Sequence, residues 1–279
     1  MATTKTWNDA ALATEAGRLL TSLRNSRPLV QAITNFVSMD VAANALLAIG
    51  ASPAMVHAKE EAADFAGLAG ALVINIGTLD ETFIPGMLAA AEAAHRIGCP
   101  WVLDPVGAGA TRYRDATVAK LLAFKPTIIR GNASEIMAVA RVAGVTADVA
   151  APKGVDSAHG TDEARDFAFA LAKRQGCIVA ATGAVDLITD GERSIRLANG
   201  SPLMAKVTAL GCALSGIVAA FAAVTPDAYL ATAAAVAVYG VVGEMAAEVA
   251  PRPGVFHVAF LDTLDAVEEA DISRRLKLA

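Results

Sequence analysis

Residues 71–109 read ALVINIGTLDETFIPGMLAAAEAAHRIGCPWVLDPVGAG, and the reading of this stretch decides the fold. Ala71–Gly77 is a short apolar run with several β-branched residues. The Ala-rich segment from Ile84 to Gly98 has the length and composition of a helix, and Trp101–Asp104 is a second apolar run that stops at an acid and a glycine-containing turn. Strands that are apolar at every position, rather than at alternate ones, are buried on both faces. A helix between two such strands makes the βαβ unit of a parallel sheet. The same alternation recurs outward: PAMVH (53–57), TIIRG (127–131) and CIVAATG (177–183) are further short runs, with AKEEAADFAGLAG (58–70) and EARDFAFALAKRQG (163–176) as helical stretches. LITDGERSI (187–195) differs, because Asp190-Gly191 supplies the positive φ of a tight hairpin and so predicts an antiparallel edge. Ala-rich helices follow at about 212–224 and 228–249, then the break PRPG (251–254) and a final amphipathic helix with a charged tail. The expectation is an α/β fold with a mostly parallel central sheet, helices on both faces and a small antiparallel hairpin near 187–197. With no linker and no repeat, residues 1–279 read as a single domain.

Composition narrows the function classes. The chain is 55% hydrophobic and 18% charged, which describes a packed globular core built from Ala, Val, Leu and Ile. A net charge of −5 and the lack of a basic patch interleaved with aromatics argue against nucleic acid as a partner. Cys99, Cys177 and Cys212 are widely spaced, with no C-x-x-C pair, and fit a reducing cytoplasmic setting. Asp9 and Glu15 interrupt any export signal. The uncharged run Val207–Thr225 is broken by Gly211, Ser215 and Gly216, and is read as a buried core helix rather than a membrane span.

Ligands of a parallel sheet bind beyond the carboxyl ends of its strands, so the residues that follow each run are the candidates. Asp104-Pro-Val-Gly-Ala-Gly109 is an acid followed by a glycine loop; it serves equally as a capped turn or as an anion cradle. Arg130-Gly-Asn-Ala-Ser-Glu135 sets a cation, an amide and a carboxylate at one strand end. Asn132 or Ser134 as a cap for a helix beginning near Ile136, with Glu135 in its first turn, accounts for part of this but less readily for Arg130. Thr182-Gly183 closes the fifth run. In VTALGCALSG (207–216), Cys212 lies at the start of a helix, where free N–H groups bind oxyanions and lower a thiol's pKa. Taken alone, a free cysteine there is better read as a packing residue. The P-loop motif is absent, and GAGATR (107–112) lacks the third glycine of a dinucleotide fingerprint. His57, His95, His159 and His257 show no ligand spacing, and Tyr239 and Glu244 receive no role.

Several segments in order, PLVQAITNFVSMDVAANALLAIGASPAMVHAKEE (28–61), ALVINIGTL (71–79), WVLDPVGAGATRYR (101–114), IIRGNASEI (128–136), KGVDS (153–157) and ATGAVDLITDG (181–191), resemble the hydroxyethylthiazole kinases of the ribokinase-like superfamily. The resemblance runs from about Pro28 to Pro253-Gly254. It implies transfer of the γ-phosphoryl of ATP to the hydroxyl of 4-methyl-5-(2-hydroxyethyl)thiazole, a salvage step of thiamine biosynthesis. By the same resemblance Met55, Asn35 and Ala209 fall at substrate-binding positions and Arg130 and Thr182 at ATP-binding ones. Asp104 and Glu135 match the carboxylates that hold Mg²⁺ directly or through water. The resemblance also implies that Ala209, Leu210, Gly211 and Cys212 make up the anion hole, with Cys212 where superfamily relatives usually carry an aspartate as base. The resemblance also implies a homotrimer with the thiazole site at a subunit boundary.

One turn departs from the pattern. The family's G-T-G-C reads Ala209-Leu210-Gly211-Cys212 here, losing a glycine and a hydroxyl. Backbone donation survives at Ala209 if its φ stays negative. Hydroxymethylpyrimidine kinases and ADP-forming dehydratases of hydrated nicotinamide nucleotides share the superfamily fold, and a catalytically silent thiazole-binding protein is the reading from another class.

Overall fold

The computed structural model describes residues 8–145 and 161–279. KGVDS (153–157) and His159 lie outside the described residues. Eight strands form one sheet: β1 (Leu29–Ile33), β2 (Ser52–Ala54), β3 (Ala71–Asn75), β4 (Trp101–Asp104), β5 (Ile128–Asn132), β6 (Ile178–Thr182), β7 (Asp186–Thr189) and β8 (Ser194–Leu197), in the order β2-β1-β3-β4-β5-β6-β7-β8. Pairings from β2 through β6 are parallel, and β6-β7-β8 are antiparallel. The eleven described helices are α1 (Asp9–Ser26), α2 (Met39–Ile49), α3 (Ala62–Leu68), α4 (Phe83–Ile97), α5 (Arg112–Leu122), α6 (Ala133–Val142), α7 (Thr161–Gln175), α8 (Leu210–Ala222), α9 (Ala228–Val249), α10 (Pro253–Ala266) and α11 (Glu269–Arg275).

Strand residues alternate between two cores because successive side chains point to opposite faces. Ala71 and Val73 join Val102, Ile128 and Ala180 under α1, α2, α8, α9 and α10. Leu72 and Ile74 join Leu103, Ile129 and Val179 under α3 to α7. Both faces are therefore covered, which is why the strands read as unbroken apolar runs. α8, apolar all round, is buried almost throughout, as the sequence predicts. α9 is long and apolar enough to cross a membrane, yet 83% of its most apolar window is buried inside this fold.

The structure corrects the sequence reading in several places. β1 was not among the predicted strands, because the buried polar Gln31 interrupts its run; Gln31 Nε2 donates to the carbonyls of Val56 and Ala62, so the polar side chain is used to hold the loop after β2. PAMVH is a strand only to Ala54, which leaves Met55 just beyond the tip. The hairpin joining β7 to β8 pairs Thr189 with Ser194, so its loop has four residues rather than two. Only Gly191 in that loop has positive φ, at 93°. α8 starts at Leu210 and α6 at Ala133, each earlier than predicted.

Candidate active site

The carboxyl ends of β1, β3, β4, β5 and β6 lie side by side, and the register lines up their last polar residues: Asn75 pairs with Asp104, and Asn132 with Thr182. A continuous polar line runs across these tips. Asn35, just after β1, donates through Nδ2 to Asn75 Oδ1 (2.8 Å) and to the Cys212 sulfur (3.4 Å). Asn75 Nδ2 donates to Asp104 Oδ2 at 2.7 Å, and Ser215 Oγ donates to the same oxygen at 2.8 Å. Arg130 Nη1 stands 3.8 Å from Asp104 Oδ2 and donates to the Gly211 carbonyl at 2.9 Å, while its Nη2 donates to Thr182 Oγ1 at 2.6 Å. The candidate residues from four strands thus meet the amino end of α8 on one side of the molecule.

Helix α8 places Cys212 and Ser215 three residues apart on one face. Its start is anchored from α9 by Tyr239, whose hydroxyl donates to the Leu210 carbonyl at 2.7 Å. No side chain caps this helix, so its first N–H groups keep their capacity for an incoming anion. Gly211 leaves the Arg130 guanidinium room, since a Cβ there would sit 3.3 Å from Nη1 and press on it by a few tenths of an ångström. Ala209 has φ of 69°, in the left-handed region. The condition of negative φ is not met: alanine has been fitted into the glycine geometry. That conformation costs an L-residue roughly 1–2 kcal/mol. Ala209→Gly is therefore expected to stabilise the fold by about 1 kcal/mol, read as a higher urea midpoint, without loss of turnover.

Electrostatics refine two of the assignments. Burial pushes the Asp104 carboxyl up to about 6, with Arg130 opposing and Glu135 reinforcing that rise. The thiol of Cys212 is raised, not lowered as its helix-terminal position suggested: burial acts first and the nearby Asp104 charge adds to it, against weaker opposition from Asn35, Asn75 and Arg130. Glu135 is occupied twice. Its Oε2 accepts from the Asn132 N–H and its Oε1 from the Gly107 N–H, each at 2.9 Å, so it completes a capping box with Asn132 and pins the glycine loop after β4. Arg114 fixes that loop from the other side, donating to the carbonyls of Ile76, Val106 and Gly77.

Beside Arg130 and Thr182 opens a cavity of about 580 Å³, walled by Asp186, the segment 198–202, Leu210, Gly211 and Tyr239. Met55 lies half-buried against the same core as Ala209. Sequence reasoning missed Asn75, Ser215, Tyr239 and Arg114. Asn75 carried a usable signal as the polar end of an apolar strand, and Ser215 as the residue one turn after Cys212. The other two act through backbone carbonyls of distant segments, which no local pattern announces.

Comparison with known proteins finds relatives over nearly the whole chain. The profile of the hydroxyethylthiazole kinase family matches residues 20–270. A hydroxyethylthiazole kinase of Cereibacter sphaeroides (strain ATCC 17029 / ATH 2.4.9) is 53% identical over 262 residues, covering 94% of this chain and 97% of its own. One from Rhizobium etli is 54% identical over 264 residues, covering 94% of this chain and 100% of its own. Among solved structures, the hydroxyethylthiazole kinase protein of Pyrococcus horikoshii OT3 superposes with a TM-score of 0.87 at 39% identity, covering 95% of this chain and 98% of that one. A ribokinase-like superfamily protein of Enterococcus faecalis V583, at 15% identity and a TM-score of 0.57 over 90% of this chain and 89% of its own, shares the fold. A sheet with a polar line across its tips, facing an uncapped helix, and near-full-length identity above one half lead to one conclusion: the chain belongs to the hydroxyethylthiazole kinase family.

Proposed function

We propose that this chain phosphorylates the hydroxyl of 4-methyl-5-(2-hydroxyethyl)thiazole with ATP. The observation that carries the reading is the unbroken line from Asn35 through Asn75, Asp104 and Arg130 to Thr182, with Cys212 and the amino end of α8 beside it. Phosphoryl transfer needs alignment and charge neutralisation more than covalent help. The 580 Å³ cavity takes the nucleotide, with its phosphates directed to Arg130, Thr182 and the N–H groups of Ala209–Cys212. The alcohol enters from the Asn35 and Met55 side.

The donor set fits a hard divalent ion such as Mg²⁺: Asp104 Oδ1 is buried and has no hydrogen-bond partner, and phosphates and water complete such a shell. Asp104 would hold the ion directly. Glu135, with both oxygens already accepting N–H groups, would act through water. When bound, the ion spreads the negative charge of the phosphates. Arg130 supplies a fixed positive charge held by Gly211 and Thr182. Cys212, whose thiol resists ionisation, lines up the alcohol: its sulfur is held by Asn35 and accepts a hydrogen bond from the hydroxyl, and the hydroxyl proton passes to a phosphoryl oxygen as the bond to phosphorus forms and the bond to ADP breaks.

We place the reaction in the cytoplasm, where the free cysteines Cys99, Cys177 and Cys212 stay reduced. We also propose a homotrimer, as the family resemblance implies, with Phe36 and Val37, exposed next to Asn35, as apolar surface for a contact between copies. Mass-spectrometric identification of products from Mg-ATP and a panel of small alcohols tests the reading. The thiazole alcohol is the expected acceptor; binding of the thiazole with no ATP consumed overturns the kinase assignment. In the same assay Cys212→Ala is expected to lower kcat about 10- to 100-fold with little change in KM for the alcohol, whereas Cys212→Asp retains turnover. An unchanged kcat in the alanine variant reduces Cys212 to packing.

A further inference from the structure

The segment Ala198–Pro202 forms part of the wall of the cavity that Arg130 also lines, and its side-chain anchors lie outside the cavity. Asn199, buried and 6% exposed, spends its entire side-chain amide on the far side of that wall. Its Nδ2 donates to Glu244 Oε1 (3.1 Å) and to the Arg275 carbonyl (2.7 Å), and its Oδ1 accepts from the Lys277 N–H (2.8 Å). Gly200 N–H donates to the same Glu244 oxygen at 3.3 Å. Lys277 Nζ reaches both carboxylate oxygens of Glu244, at 3.0 and 3.1 Å.

The chain end itself is stitched to the sheet edge. Ala198 N–H donates to the Lys277 carbonyl, Ala279 N–H donates to the Arg196 carbonyl, and Leu197 and Leu278 form an antiparallel bridge. The wall also rests directly on α9, since a Cβ at Gly240 would stand 2.8 Å from the Asn199 Cβ and 2.9 Å from its carbonyl oxygen. Each hydrogen bond that fixes Asn199 therefore comes from Glu244 on α9 or from the last five residues of the chain.

We propose that Glu244 and the C-terminal residues Arg275–Ala279 are positioning elements for the nucleotide: acting through Asn199, they set the cavity wall and hence ATP affinity without touching ATP. This rests on the cavity being the nucleotide site. A buried amide that loses a partner has no water to replace it, so the wall shifts until the amide finds one. Glutamine at 244 preserves the oxygen that Asn199 and Gly200 use; leucine does not.

The test compares the parent with Glu244→Leu, Glu244→Gln and a chain lacking Lys277–Ala279, using calorimetry with Mg-ADP and steady-state kinetics. The expected result is a Kd for ADP and a KM for ATP raised about tenfold in Glu244→Leu and in the truncated chain. Their kcat and their KM for the alcohol stay within about twofold of the parent, and Glu244→Gln binds like the parent. Glu248→Ala serves as the control, because it cuts only the exposed ion pair of the Arg275 side chain and leaves in place Glu244 and the Arg275 carbonyl that Asn199 uses; it is expected to leave Kd alone. If the truncated chain does not fold, the pair at position 244 decides by itself. Unchanged ADP affinity in Glu244→Leu, or an equal loss in Glu244→Gln and Glu244→Leu, overturns the inference. Failure of the parent to bind Mg-ADP instead overturns the nucleotide reading of the cavity.

Discussion

Arg130→Ala is expected to lower kcat/KM for ATP by about 10²–10³-fold, equivalent to roughly 3–4 kcal/mol of transition-state stabilisation, as measured by steady-state kinetics with the alcohol saturating. The size follows from what the guanidinium does at once. One nitrogen holds the Gly211 carbonyl at the start of α8, the other holds Thr182 at the tip of β6, and the charge lies beside Asp104. The side chain is only 11% exposed, so its charge is poorly screened by water. Arg130→Lys is expected to recover little of the loss. A single ammonium cannot span two acceptors on different elements, and the planar fork can. Full recovery by lysine would show that only the charge matters, and would remove the geometric argument for the strand-tip line.

The sheet was legible in the sequence because its strands are buried on both faces, so Ala71–Asn75, Trp101–Asp104 and Ile178–Thr182 could be read as uninterrupted apolar runs. Gln31 hid β1 because its polar group serves a tertiary purpose, holding Val56 and Ala62, that no local window contains. At the site, position at a strand tip singled out Arg130, left Asp104 evenly balanced between a turn and an anion cradle and said little of Thr182; the family resemblance supplied their roles. The electrostatic state of Cys212 was not legible. A helix amino end lowers a thiol's pKa, but here burial and a carboxylate brought in from β4 act the other way and prevail. The conformation of Ala209 escaped for a similar reason: sequence supplies a residue's preference, whereas packing of α8 against α9 and the Tyr239 bond to Leu210 impose the geometry.

Asp104→Asn is expected to give a protein that is more stable and nearly inactive. Asp104 is fully buried, and burial raises its carboxyl from an ordinary value of 3.8 to about 6. The folded state therefore holds the proton more tightly than the unfolded chain does. Below about pH 4 both states are protonated and the group contributes nothing to the balance. Between about pH 4 and 6 stability falls as pH rises, and above pH 6 the full penalty remains, on the order of 2–3 kcal/mol at about 1.4 kcal/mol per pKa unit. Asparagine is neutral at every pH, and its oxygen still accepts from Asn75 and Ser215. Thermal melts should place the D104N variant above the parent at pH 7.5, with the gap closing near pH 4. Turnover in the same preparation should fall by about 10³-fold or more, because the unpartnered anionic oxygen is replaced by an N–H donor where a cation has to be held. A variant that melts lower than the parent, by the same margin at both pH values, would make Asp104 a structural staple of the strand tips. Retained turnover would take the carboxylate out of the reaction altogether.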